Sequence, residues 1–104
     1  MLNQPTKKEL DKIPKLYETE NIPLAEKNVY LHFFCGQSDW WILEYDSNDR
    51  LFFGIAKIFV PEIGYISYDE IKDVKALGVI EVERDISFEV KKVKEIEELI
   101  EWLK

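Results

Sequence analysis

Carboxylates two residues apart are the side chains of this chain best spaced to do chemistry. Alternate residues of a strand share a face about 6.6 Å apart. Glu81, Glu83 and Asp85 form one such series, and Glu44 and Asp46 form another. A row of carboxylates at that interval is on the scale of the charge repeat of a nucleic-acid backbone, so it suits a basic protein partner by mimicry of DNA. Asp39 and Asp49 add acid at the turn-rich end, and Arg84 lies inside the row, where it is expected to neutralise a neighbouring carboxylate. Glu44 and Asp46 offer a hard cation two ligands with no assured third, so no metal and no cofactor is expected.

Enzymatic constellations are thin. A Mg²⁺-dependent nuclease of the Glu-x-Lys type needs a metal-binding acid, a second acid and a lysine two residues on. The acid-x-Lys triplets Glu70/Lys72, Asp73/Lys75 and Glu89/Lys91 are present, but chance alone supplies about two or three in a chain of this length. Glu89/Lys91, with Asp85 four residues earlier, sits best, and makes a metal-dependent nuclease or other DNA-processing enzyme the runner-up. His32, the only histidine, lies mid-strand among apolar neighbours. Cys35 is three residues from it, so strand geometry sends the two side chains to opposite faces and no nucleophile–base pair forms. The glycines at 36, 54, 64 and 78 are scattered singly, which excludes a phosphate-cradling loop. No catalytic residue is assigned, and the chain is not expected to be an enzyme.

Trp40 and Trp41 are adjacent, and in a regular strand they point to opposite faces. Trp41, Leu43 and Tyr45 would share one side; Trp40, Ile42, Glu44 and Asp46 would share the other. Two readings follow. Either helices cover both sides and both indoles are core, or Trp40 stays bare and anchors a partner or a second copy of the chain.

These residues need a scaffold, and 104 residues suffice for one domain, 1–104, with a core that folds without disulfide or metal. Apolar residues make up 46% and aromatics 13%, a globular composition. The single cysteine excludes an internal disulfide and fits a reducing, cytoplasmic setting. Met1–Lys7 carries no apolar run of the kind a secretory signal needs, and no segment reaches membrane-spanning length. The net charge of −7 is uneven: residues 61–104 hold seven basic and twelve acidic groups. Direct contact with nucleic acid is therefore not expected, because phosphates demand clustered Lys and Arg. Nor is a membrane expected as partner, since the acids of the C-terminal segment repel anionic lipid.

Thr6-Lys-Lys-Glu9 is a capping box opening a short helix that Pro14 stops. Residues 14–23 read as irregular, with one turn at Leu24–Lys27. Strands are predicted at Val29–Cys35, Trp40–Asp46 and Leu51–Val60, separated by turns at Gly36–Asp39 and Ser47–Arg50. Pro61–Gly64 reads as a turn into a short strand, Tyr65–Ser67. A second capping box, Ser67–Glu70, opens a helix to about Ala76 with Gly78 as its C-cap. A strand over Val79–Val90 and a helix over Val93–Leu103, with Val93, Ile96, Ile100 and Leu103 as its apolar stripe, complete the chain. The order predicts an α+β fold: a mainly antiparallel sheet of about five strands with N-terminal, middle and C-terminal helices packed on it.

The segments Ile13-Pro-Lys-Leu-Tyr17, Ser38-Asp-Trp-Trp-Ile-Leu-Glu-Tyr-Asp46, Leu51-Phe-Phe-Gly54, Gly64-Tyr-Ile-Ser67 and Ile80-Glu-Val-Glu-Arg-Asp-Ile-Ser-Phe88 stand in this order. Together they resemble the family called domain of unknown function 2958, small proteins carried on plasmids, phages and other mobile elements. The resemblance implies a context and no catalytic residues. Mobile elements carry small acidic proteins that occupy the DNA-binding grooves of restriction or CRISPR nucleases. By that analogy the chain is expected to bind and inhibit a basic, nucleic-acid-handling host protein. Asp39, Trp40, Glu44, Asp46, Asp49, Glu81, Glu83, Arg84 and Asp85 are its expected contact residues. A homodimeric structural module is a further alternative.

Overall fold

The computed structural model describes residues 1–104. Its centre is a five-stranded antiparallel sheet built from β2 (Leu31–Cys35), β3 (Ser38–Asp46), β4 (Leu51–Lys57), β5 (Pro61–Ser67) and β8 (Glu83–Arg84), in the order β5-β4-β3-β2-β8. Two-residue pairs flank it: β1 (Asn28–Val29) with β9 (Lys91–Lys92), and β6 (Lys75–Ala76) with β7 (Ile80–Glu81). The helices are α1 (Lys7–Leu10), α2 (Tyr68–Lys72) and α3 (Ile100–Leu103). The α+β reading and its antiparallel sheet therefore hold.

The meander forms where the turn chemistry placed it. Gly36, at φ 59°, supplies the left-handed residue of a tight β2–β3 turn, and Arg50 does the same, at φ 51°, before β4. Thr6 caps α1 reciprocally with Glu9, and Ser67 accepts from the Glu70 amide at the start of α2.

The sheet is buried on both sides. One side carries Phe33, Trp40, Ile42, Tyr45 and Phe52 beneath α1 and α2, and the other carries Val29, Trp41, Leu43 and Ile55 beneath the C-terminal segment. Both indoles are thus core, and Trp40, at 5% exposure, is no bare anchor. The adjacent tryptophans divide between the faces as alternation requires, but the division does not continue. Between Ile42 and Glu44 the register against β4 shifts, leaving Leu43 as an extra residue. This bulge puts Tyr45 on the face of Trp40 and turns Glu44 to that of Trp41. Gly54 makes room there: a Cβ on it would overlap the Trp41 carbonyl oxygen and lie 3.2 Å from the Ile42 Cα.

Five expected elements change. Pro61–Gly64 is the first half of β5 and no turn; proline is tolerated as the first residue of an edge strand. The preceding strand stops at Lys57, and Ile58–Val60 make the connection. α2 stops at Lys72, and Gly78 (φ 76°) turns the β6–β7 hairpin in place of capping a helix. The predicted Val79–Val90 strand breaks at buried Val82: Glu81 pairs with β6, Glu83 and Arg84 pair with β2, and the rest leaves the sheet. The predicted terminal helix becomes two 3₁₀ turns, Val93–Glu95 and Glu97–Leu99, followed by α3. Its buried residues are Val93, Ile96 and Leu99, at the three-residue period of a 3₁₀ helix; Ile100 is exposed.

Candidate functional site

The β2–β3 hairpin sets His32 beside Trp41 and Phe34 beside Asp39. These four side chains share one face, and the imidazole stacks on the Trp41 indole with centroids 5.4 Å apart. Asp85 approaches from the other flank, where its amide donates to the His32 carbonyl at 2.9 Å as the chain leaves β8. The ring is held at both ends: Nε2 lies 2.8 Å from Asp39 Oδ1 and Nδ1 lies 3.0 Å from Asp85 Oδ2. A neutral imidazole has only one N–H, so one nitrogen lone pair would then face a carboxylate. The arrangement suits the doubly protonated ring. Burial pulls the His32 pKa down, but the hydrogen bonds and charges of Asp39 and Asp85 outweigh it, and the net shift is upward. With both nitrogens engaged by carboxylates, His32 is clamped in place and has no free nitrogen to act as a general base.

Beside this clamp opens a cavity of about 320 Å³. His32, Trp41 and Phe88 form its aromatic side, and Asp85, Glu95, Glu97 and Glu98 bring carboxylates to its walls. Lys91 also lines it, with Nζ 5.2 Å from the Phe88 ring centroid. The exposed carboxylates of Glu97 and Glu98 make this wall an acceptor for a cation, and 320 Å³ has room for a single basic side chain.

Of the residues expected to contact a partner, only Asp39 and Asp85 come together. The structure disperses the others. Trp40 is sealed on the opposite face. Glu81 is 3.5 Å from the amino group of Met1, and Glu83 sits half-buried opposite Phe34. Arg84 turns to Glu9 at 2.6 Å, and this hydrogen bond is the main reason the Glu9 carboxyl is held down to about 2. Asp46 accepts from the Asn48 amide within its own turn, and Asp49 stands exposed in that turn. The carboxylate row predicted along one strand therefore does not form, because the strand that would carry it is broken at Val82. Glu89, the acid of the runner-up nuclease triplet, is exposed, while Lys91 lies over Phe88.

Glu44 takes a structural role. It is 3% exposed and accepts from the Tyr17 amide at 2.8 Å, the Thr19 amide at 3.0 Å and the Thr19 hydroxyl. Lys27 Nζ closes the network onto the Thr19 carbonyl and hydroxyl oxygens. These bonds pin the Pro14–Pro23 segment to the sheet and hold Tyr17 at φ 71°, where a bulky residue is strained. Sequence reasoning missed this network, which joins positions 17, 19, 27 and 44. It also set His32 aside, although one signal was readable. A two-residue turn at Gly36-Gln37 places His32, Phe34, Asp39 and Trp41 on one face; the four-residue turn read from the sequence hides that register.

Residues 7–102 match a family model described as protein of unknown function (DUF2958). The chain belongs to that family. No curated protein and no solved structure matches it.

Proposed function

We propose that this member of the DUF2958 family is a binding module that seats a basic side chain of a protein partner in the acidic cleft beside His32. The carrying observation is the cleft itself: Glu97 and Glu98 on its wall, beside Asp85, which is engaged by His32, and Glu95, which accepts from the Lys92 amide. Glu97 and Glu98 are exposed and make no ion pair within the chain, whereas Glu26, Asp69 and Glu101 are already paired with Lys or Arg. The chain's net charge of −7 adds long-range attraction for a cationic surface. A nucleic-acid-handling host protein has the basic groove that such a surface suits, and inhibition of a restriction or CRISPR nuclease is the form of the reading in which that groove is occupied. The mimicry is then local to the cleft, because the longer carboxylate row is absent.

Capture from a host lysate tests the reading. The wild-type chain retains a basic protein whose binding weakens steeply with salt, and the Glu97→Lys, Glu98→Lys double variant loses it while folding normally. A partner held equally well by the double variant refutes the cleft. Mg²⁺-dependent DNA cleavage abolished by Glu89→Gln returns the nuclease reading to first place.

A further inference from the structure

The two edges of the central sheet differ. At one end β8 is only two residues long and is closed by Leu2, whose amide donates to the Val82 carbonyl at 2.8 Å and whose carbonyl accepts from the Arg84 amide at 3.0 Å. At the other end β5 runs Pro61–Ser67 with no strand beyond it. The Tyr68 amide donates to the Arg50 carbonyl, so residues 62, 64 and 66 of β5 turn their amides and carbonyls to β4. Ile63, Tyr65 and Ser67 therefore direct theirs outward, and no backbone bond outside the β4 ladder engages them. Natural edges are blunted by lysines, bulges or central prolines. This one has continuous register, a single charge at Glu62, and its proline at the first position.

The geometry points to a homodimer formed by antiparallel pairing of β5 with β5 of a second copy about a two-fold axis at Gly64. The segment is self-complementary in that register. Ile63 and Tyr65 of each copy exchange amide and carbonyl bonds with Tyr65 and Ile63 of the other, and the Ser67 amide donates to the Pro61 carbonyl, which needs no amide from proline. Gly64 meets Gly64 as a non-hydrogen-bonded pair with Cα atoms about 4.5 Å apart, and nothing lies within 4 Å of the position its Cβ would take. Ile63 and Tyr65, 43% and 54% exposed, become cross-strand apolar pairs on one face. Charge agrees: Glu62 faces Ile66 of the second copy, and the two Glu62 carboxylates stand about 14 Å apart along the strands, beyond the Debye length of about 8 Å in physiological salt. The same register brings the Ile58–Val60 connection, with Phe59 at 90% exposure, level with the start of α2 in the second copy.

Light scattering and amide exchange test the pairing. The pure chain is expected to show twice the 12.4 kDa of one copy at high concentration, with the Ile63, Tyr65 and Ser67 amides protected and losing that protection on dilution. Ile63→Pro removes only an outward amide, so it is expected to keep the fold and return a single-chain mass; Ile63→Lys, an edge-guarding charge, should do the same. A single-chain mass at every concentration, with those three amides exchanging freely, overturns the proposal. So does a doubled mass that survives both variants. The cleft beside His32 lies toward the β8 edge, so these variants leave partner capture through it intact, and the two readings fail separately.

Discussion

Replacing Glu44 with glutamine changes one buried atom and no volume, which makes it a clean probe of the network under the Pro14–Pro23 segment. The carboxylate faces three donors and no acceptor: the Tyr17 amide, the Thr19 amide and the Thr19 hydroxyl. A carboxamide must turn its NH₂ toward one of them. If it faces Tyr17, that amide bond is lost outright; if it faces Thr19, the hydroxyl can rotate to accept but the amide cannot. One charge-assisted bond worth about 1.5–3 kcal/mol goes either way, and the survivors fall to neutral strength. The sum is about 2–4 kcal/mol. For 104 residues the unfolding entropy is about 0.22 kcal/mol/K, so Tm should drop by about 10–18 °C. Thermal unfolding followed by near-ultraviolet circular dichroism measures it, with Glu20→Gln as control, since Glu20 lines the same hollow but is exposed. A Glu44→Gln protein melting within about 2 °C of wild type would refute the reasoning.

Trp40→Ala should cost about 3–5 kcal/mol as a core truncation; urea titration showing an unchanged midpoint would contradict its burial. Gly54→Ala should prevent the native β3–β4 pairing, because the new methyl meets the Trp41 carbonyl and backbone cannot yield as a flexible side chain would; soluble, folded protein by circular dichroism would contradict this. His32, whose pKa is raised in the folded chain, contributes stability that is fully present below its unfolded pKa of about 6.5 and fades as pH rises through the higher folded value. The stability gap between wild type and His32→Gln, from denaturant melts, should therefore narrow from pH 6 toward pH 9, and a gap that widens would contradict the clamp between Asp39 and Asp85.

Local chemistry made the meander legible. Gly36, the Ser47–Arg50 cluster and the Thr6–Glu9 capping box each act within a few residues and appear at their places, while of the second box only the Ser67 N-cap bond to the Glu70 amide forms. Pro61 misled because proline signals a turn and an edge-strand start equally well, and only the neighbouring strand distinguishes them. The bulge at Leu43 was invisible because one extra residue leaves no mark in an alternating pattern, yet it decides which face receives Glu44 and Tyr45. The C-terminal apolar spacing fits an α-helix and a run of 3₁₀ turns nearly as well, and packing of Val93, Ile96 and Leu99 on the sheet selects the tighter winding. At the candidate site Asp39 and Asp85 were anticipated as surface charge, whereas their shared hold on His32 was not.

Composition and pattern alone determined that this chain folds as α+β around an aromatic, mainly antiparallel sheet, that it is acidic, and that both faces of β3 carry apolar surface. Those properties follow from residue types and short spacings. Which carboxylates are spent inside the molecule was decided only in three dimensions. Glu44, Glu81, Asp39 and Asp85 find partners 25 to 80 positions away or across a hairpin, and no local spacing encodes such a meeting; it arises when strand register, a bulge and a broken edge bring distant segments together.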